Sequence, residues 1–179
     1  MECTDQPCAL TTRTGLILHV RPATQQDEAA LAEFFTHVTA DDLRFRFLSS
    51  ARHVPHDQLV AMTRTDHRRT EDFLAFTQDG SAMIASAMLA CDDQLEHAEV
   101  AIAIRADYKA RGVGWTLLAH VANLAAARGI KALESLESRD NHAAIEVEED
   151  LGFVAEPVPD EPAVVRLSKR LTTSSSAGE

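Results

Sequence analysis

The chain has 179 residues, 45% hydrophobic content and a formal net charge of -11, which suits one soluble globular domain with a sizeable core and argues against a nucleic-acid partner. It has no apolar run of about 18 residues that would span a membrane, and its first residues lack the pattern of a signal peptide, so a cytoplasmic protein is expected. Cys3, Cys8 and Cys91 form no CxxC pair and read as free thiols, and the eight histidines fall in no metal-ligand spacing, so no metal is expected.

Residues 1–15 show no sustained period and read as a leader, and 172–179 as a small, polar, flexible tail, which leaves one domain at 16–171. Leu16 to Val20 is a β-type run ended by Arg21-Pro22. Thr24 then offers an N-cap before the apolar series Leu31, Phe34, Phe35 and Val38. Two short helices are predicted over 41–47 and 55–64, the first carrying Arg44 and Arg46 beside aromatic residues. Three neighbouring antiparallel strands follow: 72–77, 82–90 after an Asp79-Gly80 turn, and 99–104. Past Gly112 the period becomes helical, with Val113, Leu117, Val121 and Leu124 on one stripe and Gly129 as its stop. A strand over 130–136, a helix over 141–151 ended by Gly152, and a last strand around 164–167 complete an α+β domain on a mixed sheet.

Most of the chemical information lies in Lys109-Ala110-Arg111-Gly112-Val113-Gly114, between an apolar strand and a long helix. Glycines there let successive backbone N–H groups close on a phosphate, and the positive end of the helix dipole adds to the attraction. Neither GxGxxG nor GxxxxGK[ST] is present, so Rossmann and P-loop readings fail. A plain strand-to-helix turn is the simpler alternative for an isolated GxG.

In context, these residues resemble the Gln/Arg-x-x-Gly-x-Gly/Ala signature of the Gcn5-related N-acetyltransferase (GNAT) superfamily, with Lys109 departing from the usual Gln/Arg. The likeness extends to Asn141, Ala144, Ile145 and Leu151-Gly152-Phe153, and to Val20-Arg21-Pro22-Ala23 with Asp27. Through Leu43-Arg44-Phe45-Arg46-Phe47 and Gly114-Trp115 the chain is most similar to the GNAT domain of bacterial protein lysine acetyltransferases.

The resemblance implies a GNAT fold, a central mixed, mostly antiparallel sheet flanked by helices, and an acetyl-CoA-dependent N-acyltransferase. Its acceptor would be a protein lysine or a small amine, and a homodimer is among the assemblies the superfamily forms. It implies that Ile102, Ala103 and Ile104 offer backbone groups to the pantetheine arm and that Ala110, Arg111, Gly112, Val113, Gly114 and Trp115 hold the pyrophosphate, with Lys109 and Arg111 adding charge. Asn141 is expected to cap its helix and, by the resemblance, to contact acetyl-CoA. An ammonium must lose a proton before it attacks a thioester, and the candidate general base is Glu99, at the start of the strand leading to the loop, where by the resemblance the protein-acetylating branch carries a glutamate that serves as base. Glu134 and Glu137 are the carboxylates that could bind the cationic acceptor, and Glu137, where relatives usually carry an apolar residue, is the candidate taken. The tyrosine that commonly protonates the departing thiolate is replaced by Glu148, which leaves the general acid unassigned. Cys91 lacks a paired histidine, so direct transfer is favoured over an acyl-enzyme. A non-catalytic acyl-CoA-binding regulatory module is the alternative reading.

Overall fold

The computed structural model describes residues 7–50 and 52–172. Eight strands form one sheet: β1 (Cys8–Thr11), β2 (Ile17–Pro22), β3 (Thr70–Thr77), β4 (Met83–Cys91), β5 (His97–Ile104), β6 (Ala132–Ser138), β7 (Val154–Pro157) and β8 (Val164–Arg170). Their order is β1-β2-β3-β4-β5-β6-β8-β7, and every neighbouring pair is antiparallel except β5 and β6. Helices α1 (Glu28–Thr36), α2 (Ala40–Phe47), α3 (His56–Thr63), α4 (Val113–Ala127) and α5 (His142–Asp150) complete the domain. This is the mixed, mostly antiparallel α+β architecture expected from the sequence. Among the described residues no helix is long and apolar enough to cross a membrane.

The central strands are buried on both faces, which is why β3 and β4 read as nearly continuous apolar runs. On one face Phe73, Ala87, Val100, Leu133 and Leu167 pack with the α4 stripe of Val113, Leu117 and Val121. On the other, Leu74, Met83 and Ala103 pack with Leu31, Phe34 and Phe35 of α1, Leu43 of α2 and Leu59 and Met62 of α3. The two cores therefore hold α4 and α2 on opposite sides of β5.

The first strand lies inside the segment that reads as a leader. Cys8–Thr11 pairs with Ile17–Val20, and the turn closes by Thr12 N–H donating to Leu16 C=O at 2.8 Å and Gly15 N–H to Thr12 C=O at 2.9 Å. Four residues are too few to show a period, and the pairing is made by the backbone, which explains why the pattern is invisible. Residues 1–6 and all of the predicted tail except Thr172 lie outside the described residues. Strand β7, absent from the sequence reading, is also four residues long and is exposed throughout.

Ahead of α1, Arg21 donates to both Asp27 oxygens, at 2.8 and 2.7 Å, and the Thr24 N–H and hydroxyl donate to Asp27 Oδ2. The Arg21 hydrogen bond leads in holding the Asp27 carboxyl below its ordinary range. Its contribution is present above the unfolded-state pKa and is lost as pH falls through the folded one. Asp27→Ala is expected to cost about 2 kcal/mol at pH 7. The deficit relative to wild type should shrink toward pH 3, as read from urea midpoints.

Candidate active site

Strands β5 and β6 run side by side only from His97–Ala132 to Glu99–Glu134. Beyond that point β5 stays with β4 through Ile104 and β6 stays with β8 through Ser138, so the two strands part. The edge of β5 from Val100 onward is left with backbone N–H and C=O groups that no strand pairs, facing a cleft of about 420 Å³. The walls are β5, the first turn of α4, the end of β6, α5, and Asp42, Phe45 and Arg46 of α2.

The floor is the 109–115 turn. Ala110 and Gly112 both hold positive φ, 57° and 77°, and this turns the chain sharply into α4. Starting the helix at Val113 leaves the N–H groups of Val113, Gly114 and Trp115 without intrahelical acceptors at the positive end of its dipole. A Cβ on Gly114 would stand 3.2 Å from Ile104 Cδ1, so the glycine keeps open the space between the turn and β5. Unpaired N–H groups beside an open strand edge fit a pyrophosphate joined to an amide-bearing arm, which is the chemistry of the coenzyme A part of acetyl-CoA.

The hairpin between β1 and β2 supports this floor. Thr14 Oγ1 donates to Arg111 C=O at 2.8 Å, and a Cβ on Gly112 would meet Thr12 Cβ at 3.4 Å and Arg13 N at 3.5 Å. The Arg13 guanidinium stacks 3.8 Å from the centre of the Trp115 ring. Sequence reasoning missed these contacts, since they join residues about a hundred positions apart.

The structure brings Ile102, Ala103, Ile104, Lys109, Ala110, Gly112, Val113, Gly114, Trp115, Asn141 and Glu137 together in the cleft wall. Arg111 is exposed outside that lining, its guanidinium 5.1 Å from the Tyr108 ring centre. Lys109 does not point freely to a phosphate: its Nζ binds both Asp42 oxygens, at 2.9 and 2.7 Å, and so ties the turn to α2. Glu99 stands exposed where the strands part, outside the cleft lining and on the side of the sheet that faces α2. The predicted cap at Asn141 is corrected: its side chain makes no capping bond, because Nδ2 donates instead to Glu137 Oε2 at 2.8 Å.

Around the inner end of the cleft the structure concentrates ionisable groups. Arg46 lies among Asp72, Glu99 and Glu137, with its Nε buried and unpartnered among the described residues. Burial lowers the guanidinium's pKa and the three carboxylates raise it again. Burial pushes the Asp72 carboxyl up to about 7, against the pull of Arg46. Glu137 and Glu148 stand within hydrogen-bonding reach of each other, and burial leads in raising both. Glu148 is 5% exposed and its Oε2 accepts from Ser135 Oγ. In the sequence Arg46 was only a charge beside aromatics and Glu148 only a departure from a pattern. Two carboxyls on separate elements, with no fixed spacing, leave no motif to find.

The comparisons with known proteins agree with this geometry. The model of the acetyltransferase (GNAT) family matches residues 33–153, so the chain belongs to that family. It is 26% identical over 149 residues to the Pseudomonas aeruginosa acetyltransferase PA5475, covering 82% of this chain and 80% of that protein. The GNAT domain of S. lividans PAT superposes with a TM-score of 0.84 at 25% identity, covering 92% of this chain and 97% of that one. The spermidine N-acetyltransferase of Vibrio cholerae, solved with CoA and spermine, shares the fold at a TM-score of 0.72 and 16% identity, over 86% and 95% of the two chains. The protein is thus an acetyl-CoA-dependent N-acyltransferase of the GNAT family.

Proposed function

We propose that the protein moves the acetyl group of acetyl-CoA directly to a primary amine in the cytoplasm, with a protein lysine or a small amine as acceptor. The observation that carries this reading is the parting of β5 from β6 directly above the glycine turn, which sets an unpaired strand edge and a set of free helix N–H groups along one cleft. The likeness to the GNAT domain of S. lividans PAT supports the protein acceptor, and the Glu137 carboxylate in the cleft wall supports a cationic one.

Residues 110–115 would hold the pyrophosphate, and the open edge at Ile102, Ala103 and Ile104 would orient the pantetheine arm. A bound acetyl-CoA supplies an activated acyl thioester. A backbone N–H of β5 near Ala103 stands ready for the thioester oxygen as charge develops on it. Glu137, braced by Asn141, would bind the ammonium, and Glu99 would take its first proton through water. The route through water follows from Glu99's exposed place outside the cleft.

The test is release of free CoA thiol from acetyl-CoA with lysine peptides, intact proteins, polyamines and aminoglycosides. Acceptor-dependent release is expected, and Glu99→Gln is expected to lower kcat about 100-fold with little change in the affinity for acetyl-CoA. Tight acetyl-CoA binding with no release for any acceptor would favour a non-catalytic acyl-CoA-binding module. Unchanged kcat in Glu99→Gln would remove the base assignment alone.

A further inference from the structure

The Glu137 and Glu148 carboxyls face each other from the end of β6 and from α5, and both line the cleft. Two carboxylates in such contact repel unless a proton lies between them. The surroundings decide which one carries it. Asn141 Nδ2 donates to Glu137, and the charge of Arg46 on α2 also acts on Glu137; both favour its ionised form. Glu148 accepts from the neutral Ser135 hydroxyl, has no cation acting on it among the described residues, and faces the negative charge of Glu137. No charged group of α4 or β7 acts on it, and α4 presents Trp115 and Leu118 to the same cleft. One proton therefore rests on Glu148 and is shared toward Glu137.

From this arrangement, and resting on the acetyl-transfer reading above, we infer that Glu148 is the proton donor to the departing CoA sulfur and that Glu137 takes the acceptor nitrogen's second proton. The balance closes within the pair. The ammonium loses its first proton before attack. As the C–N bond forms and the C–S bond breaks, the sulfur keeps the bonding electrons and receives the Glu148 proton. The nitrogen's second proton passes to the Glu137 carboxylate. The pair ends with one proton, now on Glu137, and a shift between the two oxygens restores the starting state. Over one turnover the pair gives up one proton and takes up one, with no net change.

The experiment joins a titration to kinetics. In the wild-type chain without acetyl-CoA, 13C NMR of glutamate side-chain carboxyls is expected to find one carboxyl protonated at pH 7, absent in Glu148→Gln. Glu137→Gln should move the Glu148 titration to lower pH, because it removes the facing negative charge. Glu148→Gln keeps volume and hydrogen bonds to Ser135 and Glu137 but has no proton to give. Its kcat should fall about 100-fold and lose the alkaline decline expected of the wild type, while Glu148→Asp recovers part of the rate. A pair fully ionised at pH 7, or a Glu148→Gln chain with wild-type kcat and pH profile, overturns the inference while leaving acetyl transfer intact. A wild-type chain that transfers no acetyl group to any amine overturns both, whatever the carboxyl titration shows.

Discussion

Gly114→Val is expected to weaken acetyl-CoA binding about 100-fold while leaving the fold in place. The first carbon of any side chain at this position would already stand 3.2 Å from Ile104 Cδ1, and the two methyl groups of valine would extend into the gap between the turn and the open edge of β5. The change removes access to N–H groups at the start of α4, and the loss of one or two hydrogen bonds to a charged phosphate, at about 1.5–3 kcal/mol each, accounts for the factor. The effect should appear in KM for acetyl-CoA more than in kcat, because these contacts are made equally before and during the reaction. The single tryptophan, Trp115, lies in the cleft wall and makes the binding measurable by its fluorescence. A wild-type titration curve for the variant would show that the turn does not hold the phosphates.

The second large effect is on stability. Arg46→Ala should destabilise the chain by about 3 kcal/mol at pH 8, the scale for removing the counter-charge of buried carboxylates. Asp72 is 2% exposed with Oδ1 unpartnered among the described residues, and Arg46 is the group that lowers its pKa. Without Arg46 the carboxyls of Asp72 and Glu137 rise further. A buried carboxyl whose folded pKa lies above its unfolded value destabilises the fold as pH climbs above the unfolded value, and the penalty levels off beyond the folded one. The cost of Arg46→Ala should therefore be much smaller at pH 5 than at pH 8, which urea denaturation at the two pH values reads directly. Equal losses at both would mean that Arg46 contributes packing rather than charge.

The amino-acid pattern made the fold legible wherever an element is long and packs on both sides. The α4 stripe at Val113, Leu117, Val121 and Leu124, and the apolar runs of β3 to β5, needed no more than periodicity. The short edge strands β1 and β7 were not legible, because four residues held by backbone pairing carry no side-chain period. The glycine turn was readable because its chemistry demands glycine at fixed spacing within one segment. The pairing of Glu137 with Glu148 was not. Glu137 was singled out as an anomaly on its strand, but its contact with Glu148, the bond from Asn141 and the field of Arg46 arise from three elements that meet only in the folded chain.

The hairpin beneath the glycine turn changes where the working part of the molecule begins. The tip of a hairpin at the edge of a sheet ordinarily tolerates extra residues, since little depends on its position. This one carries Thr12 against Gly112, Thr14 on the carbonyl of Arg111 and Arg13 against Trp115. One residue inserted between Arg13 and Gly15 would leave both strands paired and the cores untouched, yet it would pull the support from beneath the turn that we propose holds the phosphates. On the proposed function, the freedom to vary at this surface turn is thus limited by a ligand that it need not touch.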